Sequence, residues 1–195
     1  VQDPARLRRL GADRGPLQVV FAGKAHPQDA DGKRLIREVV ARGAALAPEI
    51  RLVYLPDYDL ELARRITAGV DLWLNTPKPP LEASGTSGMK AAHNGVPSLS
   101  VLDGWWLEGL VEGITGWAIG SRARGSTAEA TDEQDARSLY DALERTILPL
   151  HADRPDGWAE VMRWTIALNA SFFNTQRMLQ EYGIHAYQDP ARDGP

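Results

Sequence analysis

Between Glu82 and Lys90 the sequence reads Glu-Ala-Ser-Gly-Thr-Ser-Gly-Met-Lys. Gly85 and Gly88 enclose Thr86 and Ser87 at the opening of a predicted helix. Such a turn gathers free backbone N–H groups and two hydroxyls around one point, which is chemistry for an anion, and the helix dipole adds to it. A tight turn with a capping hydroxyl has the same residues, so both readings stand on the glycines alone. Lys90 follows about a turn later, flanked by Met89, Ala91 and Ala92. That apolar flank predicts desolvation of the amine, favouring the neutral form that condenses with a carbonyl to a Schiff base. A phosphate cradle beside such a lysine is what pyridoxal phosphate requires; a lysine reaching out to solvent is the competing reading. Lys24, in Gly23-Lys24-Ala25-His26-Pro27, sits where a strand ends, a position that suits a ligand contact and equally a surface charge.

These residues need elements to position them. Leu17 to Ala22 is a short apolar run closed by Gly23, which predicts a buried strand. Leu35, Ile36, Val39, Val40, Gly43 and Leu46 recur at helical spacing and predict an amphipathic helix ending near Pro48. Ile50–Leu55 and Val70–Leu74 read as strands, and Leu60–Ala68 as a helix with Asp57 or Asp59 available as its cap. The helical stretch through Lys90 to His93 stops at Asn94-Gly95, and Val96–Val101 reads as a fourth strand. Strands alternating with helices predict an α/β fold, Rossmann-like, with a parallel sheet covered on both faces. In such sheets ligands bind beyond the carboxyl ends of the strands, where Lys24, the Pro56–Asp59 turn and the Glu82–Lys90 segment all fall. Further on, Gly120–Ala130 reads as a polar loop. Thr131 and Gln134 form a capping box for a helix whose apolar stripe runs from Leu139 to Leu150. Two more helices are predicted near Trp158–Asn169 and Ser171–Tyr182, with Trp158 and Trp164 in the core and a frayed tail from Gln188.

Composition narrows the function classes. The chain has 195 residues, 43% hydrophobic and 25% charged, the proportions of a globular domain rather than a disordered tail. Twenty-two Lys and Arg against 26 Asp and Glu leave a net charge of −4, which argues against general nucleic-acid or anionic-membrane binding. Zero cysteines exclude disulfides, thiolate metal sites and a cysteine nucleophile, and favour a cytoplasmic setting. His26, His93, His151 and His185 have no metal-ligand spacing, so no metal is expected. No apolar run approaches the length of a membrane span. Asp71 and Asp103 read as structural, bonding neighbouring loops. Trp105 and Trp106 suit a core or interface role better than stacking on sugar rings.

The segment Glu82–Lys90, followed by Ala-Ala-His-Asn-Gly and then by Leu102-Asp103-Gly104, closely resembles the pyridoxal-phosphate signature of α-glucan (glycogen, starch, maltodextrin) phosphorylases. Gly23-Lys24-Ala25-His26-Pro27 resembles an upstream segment of the same family. Tyr58, 32 residues before Lys90, stands where the family has a tyrosine beside the cofactor. Ser87-Gly88 between Thr86 and Met89, with Trp105-Trp106 after Leu-Asp-Gly, is similar to the shorter bacterial branch. The resemblance implies the C-terminal, cofactor-binding half of a GT-B type glycosyltransferase that releases terminal α-1,4-linked glucose as glucose 1-phosphate with retention. It implies that Lys90 holds pyridoxal 5'-phosphate, whose phosphate relays a proton. It further implies that Thr86 and the N–H groups near Gly85, Ser87 and Gly88 receive the cofactor or substrate phosphate. Glu82, Ser84 and the Gly85 N–H then bind glucose hydroxyls, Lys24 lies toward the substrate, and Tyr58 packs near the cofactor. The partners implied are an α-1,4-glucan and inorganic phosphate, with neither nucleic acid nor membrane, and a homodimer of the full-length parent.

The resemblance also frames an expected organisation. Residues 1–16 read as the end of a truncated upstream segment, including the end of a helix with four arginines. Residues 17–128 read as the Rossmann-like domain, 129–187 as a helical segment and 188–195 as a tail. Two phosphate dianions brought together need cations and N–H donors to offset their repulsion. The family's upstream Arg/Lys cluster has no match here, since Arg8 and Arg9 stand outside the expected motif, and this chain by itself is not expected to turn over. Two alternatives stand beside this reading. A nucleotide-sugar glycosyltransferase such as a glycogen or starch synthase would carry a second glutamate eight positions after Glu82, where Lys90 stands. A non-catalytic fragment binding a phosphate-bearing ligand is the other.

Overall fold

The computed structural model describes residues 3–120 and 131–187. In chain order the elements are α1 (Pro4–Arg14), β1 (Gln18–Ala22), α2 (Ala30–Leu46), β2 (Arg51–Leu55), α3 (Leu60–Gly69), β3 (Trp73–Asn75), α4 (Thr86–His93), β4 (Ser98–Val101), α5 (Trp106–Gly109), β5 (Gly116–Ile119), α6 (Asp132–Ala142), α7 (Leu148–Asp153), α8 (Pro155–Trp164) and α9 (Thr175–Tyr182). Single π-helical stretches at Leu143–Ile147, Thr165–Ala170 and Gly183–Tyr187 join or extend the later helices. This is an α/β fold with parallel strand pairing. The expected loop at 120–130 and the tail from Gln188 lie, but for Gly120, outside the described residues. Among the described residues no helix is long and apolar enough to cross a membrane.

The described residues fall into two compact units, one within Val1–Gly69 and Ile119–Trp158, the other within Val70–Ala118 and Ala159–Pro195. In the first, β1 and β2 pair in parallel with Gln18 opposite Arg51 and Ala22 opposite Leu55. A Cβ on Gly43 of α2 would lie 2.8 Å from the Leu52 carbonyl, so this glycine lets the helix rest directly on β2. The predicted caps form: Asp59 Oδ1 accepts the Leu62 N–H at 2.8 Å, and Thr131 and Gln134 exchange both capping-box bonds. The arginine-rich start is a helix with its own N-terminus, because Asp3 accepts the Arg6 N–H at 2.8 Å. Leu7 and Leu10 of α1 join Leu46, Ile50 and Tyr140 in one apolar cluster. β1 is more open than its apolar run predicts, with Val20 and Phe21 each 39% exposed, since β1 pairs with β2 alone.

The second unit is built on β3–β4–β5, in that order, with β3 and β4 parallel and Trp73 opposite Ser98. All four residues of the central strand β4 are buried. β5 is absent from the sequence reading, because four residues set among Gly113, Gly116 and Gly120 give no periodicity to count. Trp105 and Trp106 are 5% and 1% exposed and, with Ala92, centre an apolar cluster closed by Met89, Leu102, Leu110 and Phe173. Their core reading is therefore correct. Trp164 departs from its expectation at 44% exposure. The buried positions Trp158, Val161 and Thr165 follow one stripe, from which Trp164 is turned away by roughly a quarter of a turn.

Within the first unit, α1 is tied to α6 by one ion group. Arg6 bonds Asp141 at 2.5 Å and also Glu144, while its guanidinium lies 5.5 Å over the Tyr140 ring. The hydrogen bond from Arg6 holds the Asp141 carboxyl below its ordinary value of 3.8, with Arg145 adding to the effect. A carboxyl lowered in the folded state stabilises the fold above its unfolded value, and that contribution fades as pH falls through the folded value. Thermal melts between pH 7 and 2.5 should therefore drop more steeply below about pH 4 for the natural sequence than for Arg6→Met. Parallel curves would remove the ion group from the stability account.

Candidate functional site

The residues Glu82–Lys90 span a loop and the whole first half of α4, all within the second unit. The path into the helix is set by Gly85, which takes the left-handed conformation at φ 84°. A Cβ there would lie 3.0 Å from Glu82 Oε1 and 3.1 Å from Trp105 Cδ1, so conformation and space both call for glycine. At Gly88 a Cβ would meet the Trp105 ring, at 2.9 Å from Nε1. The indole thus lies against the first turn of α4. Among the described residues no side chain caps that turn, and the Gly88 N–H donates to the Gly85 carbonyl at 3.1 Å.

The loop is bonded as well as packed. The buried Asp103 carboxylate accepts the Glu82 N–H through Oδ2 and the Gly104 N–H through Oδ1, each at 3.0 Å. The Trp105 N–H donates to the Ser84 carbonyl at 2.8 Å. Asp103 is then structural in the sense the sequence suggested, and its partners are the residues of the candidate site.

α4 divides its residues between two faces. Gly88, Ala91 and Ala92 are buried, whereas Thr86, Lys90 and His93 are exposed. At about 100° per residue, Thr86 and Lys90 lie on one side, separated by about 6 Å along the axis. The expectation that Met89, Ala91 and Ala92 would desolvate Lys90 is not met in this unit. Sequence neighbours on a helix point elsewhere, and the alanines line the side opposite the lysine. Among the described residues the Lys90 amine makes no hydrogen bond or ion pair and is open to reagents. His93 Nε2 donates to the Phe173 carbonyl at 2.9 Å, fixing the last turn of the helix.

Beside the loop opens a groove of about 440 Å³ lined by Glu82, Ser84, Met89, Asp103, Glu108 and Arg177, with Trp105 and Phe173 at its base. Carboxylates, a hydroxyl, a guanidinium and apolar ring surface are donors and acceptors suited to a polyhydroxylated ligand. Arg177 is missed by the sequence reading. Its Nε donates to the Phe172 carbonyl at 2.6 Å and its guanidinium stacks 3.6 Å from the Phe172 ring centroid. The signal available was Asn174, three residues earlier, which caps α9 by accepting the Arg177 N–H at 2.9 Å and so sets where that arginine starts.

Lys24 and Tyr58 belong to the first unit. Lys24 is exposed just beyond the end of β1, where the Tyr54 hydroxyl donates to the Gly23 carbonyl at 2.7 Å. Tyr58 is half-buried in the turn between β2 and α3. His26 is exposed, and its Nδ1 accepts the Gln28 N–H at 3.2 Å.

Comparison with known proteins places this geometry in context. Maltodextrin phosphorylase of Thermococcus litoralis is 43% identical over 181 residues, covering 92% of this chain and 22% of that protein. Glycogen phosphorylase of Aquifex aeolicus is 43% identical over 189 residues, 92% of this chain and 26% of the relative. Glycogen phosphorylase of Mycobacterium tuberculosis is 39% identical over 198 residues, 98% and 23% respectively. The chain spans about a quarter of the length of these curated relatives. Residues 5–146 match the family described as carbohydrate phosphorylase. With that match running over most of its length, the chain belongs to the carbohydrate phosphorylase family.

Proposed function

We propose that the protein carrying this chain is an α-glucan phosphorylase, taking terminal α-1,4-linked glucose and inorganic phosphate to glucose 1-phosphate with pyridoxal 5'-phosphate on Lys90. The observation that supports it is the build of α4: an N-terminal turn entered through left-handed Gly85, with no side-chain cap and no partner for the Lys90 amine among the described residues, and with that amine on the same side as Thr86. Those residues fit the cofactor, because an accessible amine and a phosphate-binding helix end are the two contacts it needs. The relatives named for glycogen and maltodextrin support the glucan.

In this reading Lys90 fixes the cofactor, and Thr86 with the N–H groups of Gly85, Ser87 and Gly88 holds phosphate oxygens. When bound, the cofactor supplies a phosphate group that can pass a proton to and from the substrate phosphate. Glu82, Ser84 and the Gly85 N–H bind glucose hydroxyls and hold the sugar against that phosphate end. The helix dipole and N–H groups oppose the repulsion between phosphates, where one preorganised donor is worth roughly 2.7–4 kcal/mol. The same reading assigns Lys24 to the substrate and Tyr58 to the cofactor, and includes a cytoplasmic setting and a dimeric full-length protein.

The test is phosphorolysis by the natural full-length protein, with maltoheptaose and inorganic phosphate as substrates and glucose 1-phosphate as the measured product. Lys90→Ala should abolish product formation. Glu82→Gln, which removes an ionised acceptor for a sugar hydroxyl, should lower kcat/KM by roughly 10- to 100-fold. Undiminished phosphorolysis in Lys90→Ala would overturn the reading, and glucosyl transfer from a nucleotide sugar in that variant would replace it with the synthase alternative.

A further inference from the structure

We infer that Asp103 is a positioning residue for the sugar half of the site, setting Glu82 and Ser84 independently of the phosphate half; this rests on the phosphorylase reading of the Glu82–Lys90 segment. The Glu82–Ser84 tripeptide is pinned at both ends. Its first N–H is held by Asp103 Oδ2 at 3.0 Å, and its last carbonyl accepts the Trp105 N–H at 2.8 Å. The second Asp103 oxygen is engaged by the Gly104 N–H at 3.0 Å, which orients the carboxylate. Asp103 is only 8% exposed, so water offers little replacement for either bond.

Gly104 closes the contact. It sits at φ 54°, and a Cβ on it would lie 2.7 Å from the Ser84 carbonyl oxygen and 3.0 Å from Glu82 Cγ. Backbone 82–84 can approach Asp103–Gly104 only because that side chain is missing. The phosphate half is shaped differently. The first turn of α4 rests on the Trp105 ring through Gly85 and Gly88, and the Asp103 oxygens accept instead from Glu82 and Gly104. A carboxylate is specifically suited here because it accepts at both oxygens. Asparagine would accept at one and turn its NH2 group toward the other N–H.

The experiment compares the natural full-length protein with Asp103→Asn and Gly104→Ala. The readouts are the separate KM values for maltoheptaose and inorganic phosphate, pyridoxal phosphate content, and amide exchange at Glu82. Asp103→Asn should lower kcat/KM for maltoheptaose about tenfold. It should leave the KM for phosphate and the cofactor content at natural values and speed exchange at Glu82. Gly104→Ala, which displaces the Ser84 carbonyl without touching the carboxylate, should also lower kcat/KM for maltoheptaose and speed exchange at Glu82. Equal losses for both substrates or unchanged glucan kinetics in folded Asp103→Asn, or failure of both variants to fold, would overturn the positioning role. If the natural protein does no phosphorolysis, the functional reading fails by itself, and Glu82 exchange still decides: unchanged exchange in Asp103→Asn overturns the contact.

Discussion

The close approach of the Glu82–Gly88 backbone to Asp103–Trp105 is the constraint on which the site depends. At Gly85, Gly88 and Gly104 the space for a Cβ is already taken, by Glu82 and Trp105, by the Trp105 ring, and by the Ser84 carbonyl. Three residues without side chains let a loop and a helix end settle on one buried indole. Trp105 is in turn held at 5.0 Å from Trp106 and 5.1 Å from Phe173, ring centroid to ring centroid. Interiors packed this closely leave the loop and the helix end few other positions to take. The apolar core of the second unit therefore acts as the template for the polar loop above it.

On that template α4 does two tasks with eight residues. Its buried side is made only of glycine and alanine, which brings the backbone close to its neighbours. Its open side carries Thr86 and Lys90, one turn apart, and the uncapped N–H groups stand at its start. In the proposed reading, phosphate recognition draws on backbone groups and the dipole, and Lys90 serves covalent attachment.

Much of this layout was legible from residue spacing. The first two strands, α2, α3 and the stop at Asn94-Gly95 follow from apolar periodicity and turn residues, and the Thr131–Gln134 box marks its helix start by side-chain chemistry alone. What spacing does not carry is tertiary. β5 is four residues long and visible only through its neighbours in the sheet. Trp164 shares helix and composition with buried Trp158 and yet points outward, since three-dimensional neighbours decide which stripe is covered. The flanks of Lys90 misled for a related reason: adjacency in sequence is not adjacency on a helix. For the candidate site, the segment Glu82–Lys90 stands out in the sequence as a glycine-flanked turn before a lysine, whereas the contact of Asp103, 21 residues from Glu82, depends on a loop-to-loop bond. For Arg177 the one local signal was the capping Asn174 three residues earlier.

The central claim is that α4 presents Lys90 to a phosphate-bearing aldehyde cofactor. The most direct measurement is to treat the natural full-length protein with pyridoxal 5'-phosphate, reduce it with borohydride and map the modified lysine by peptide mass spectrometry, beside Lys90→Ala. The account predicts one label per chain on Lys90 and none at stoichiometric level in the variant. Labelling scattered over surface lysines, unchanged by Lys90→Ala, would contradict it.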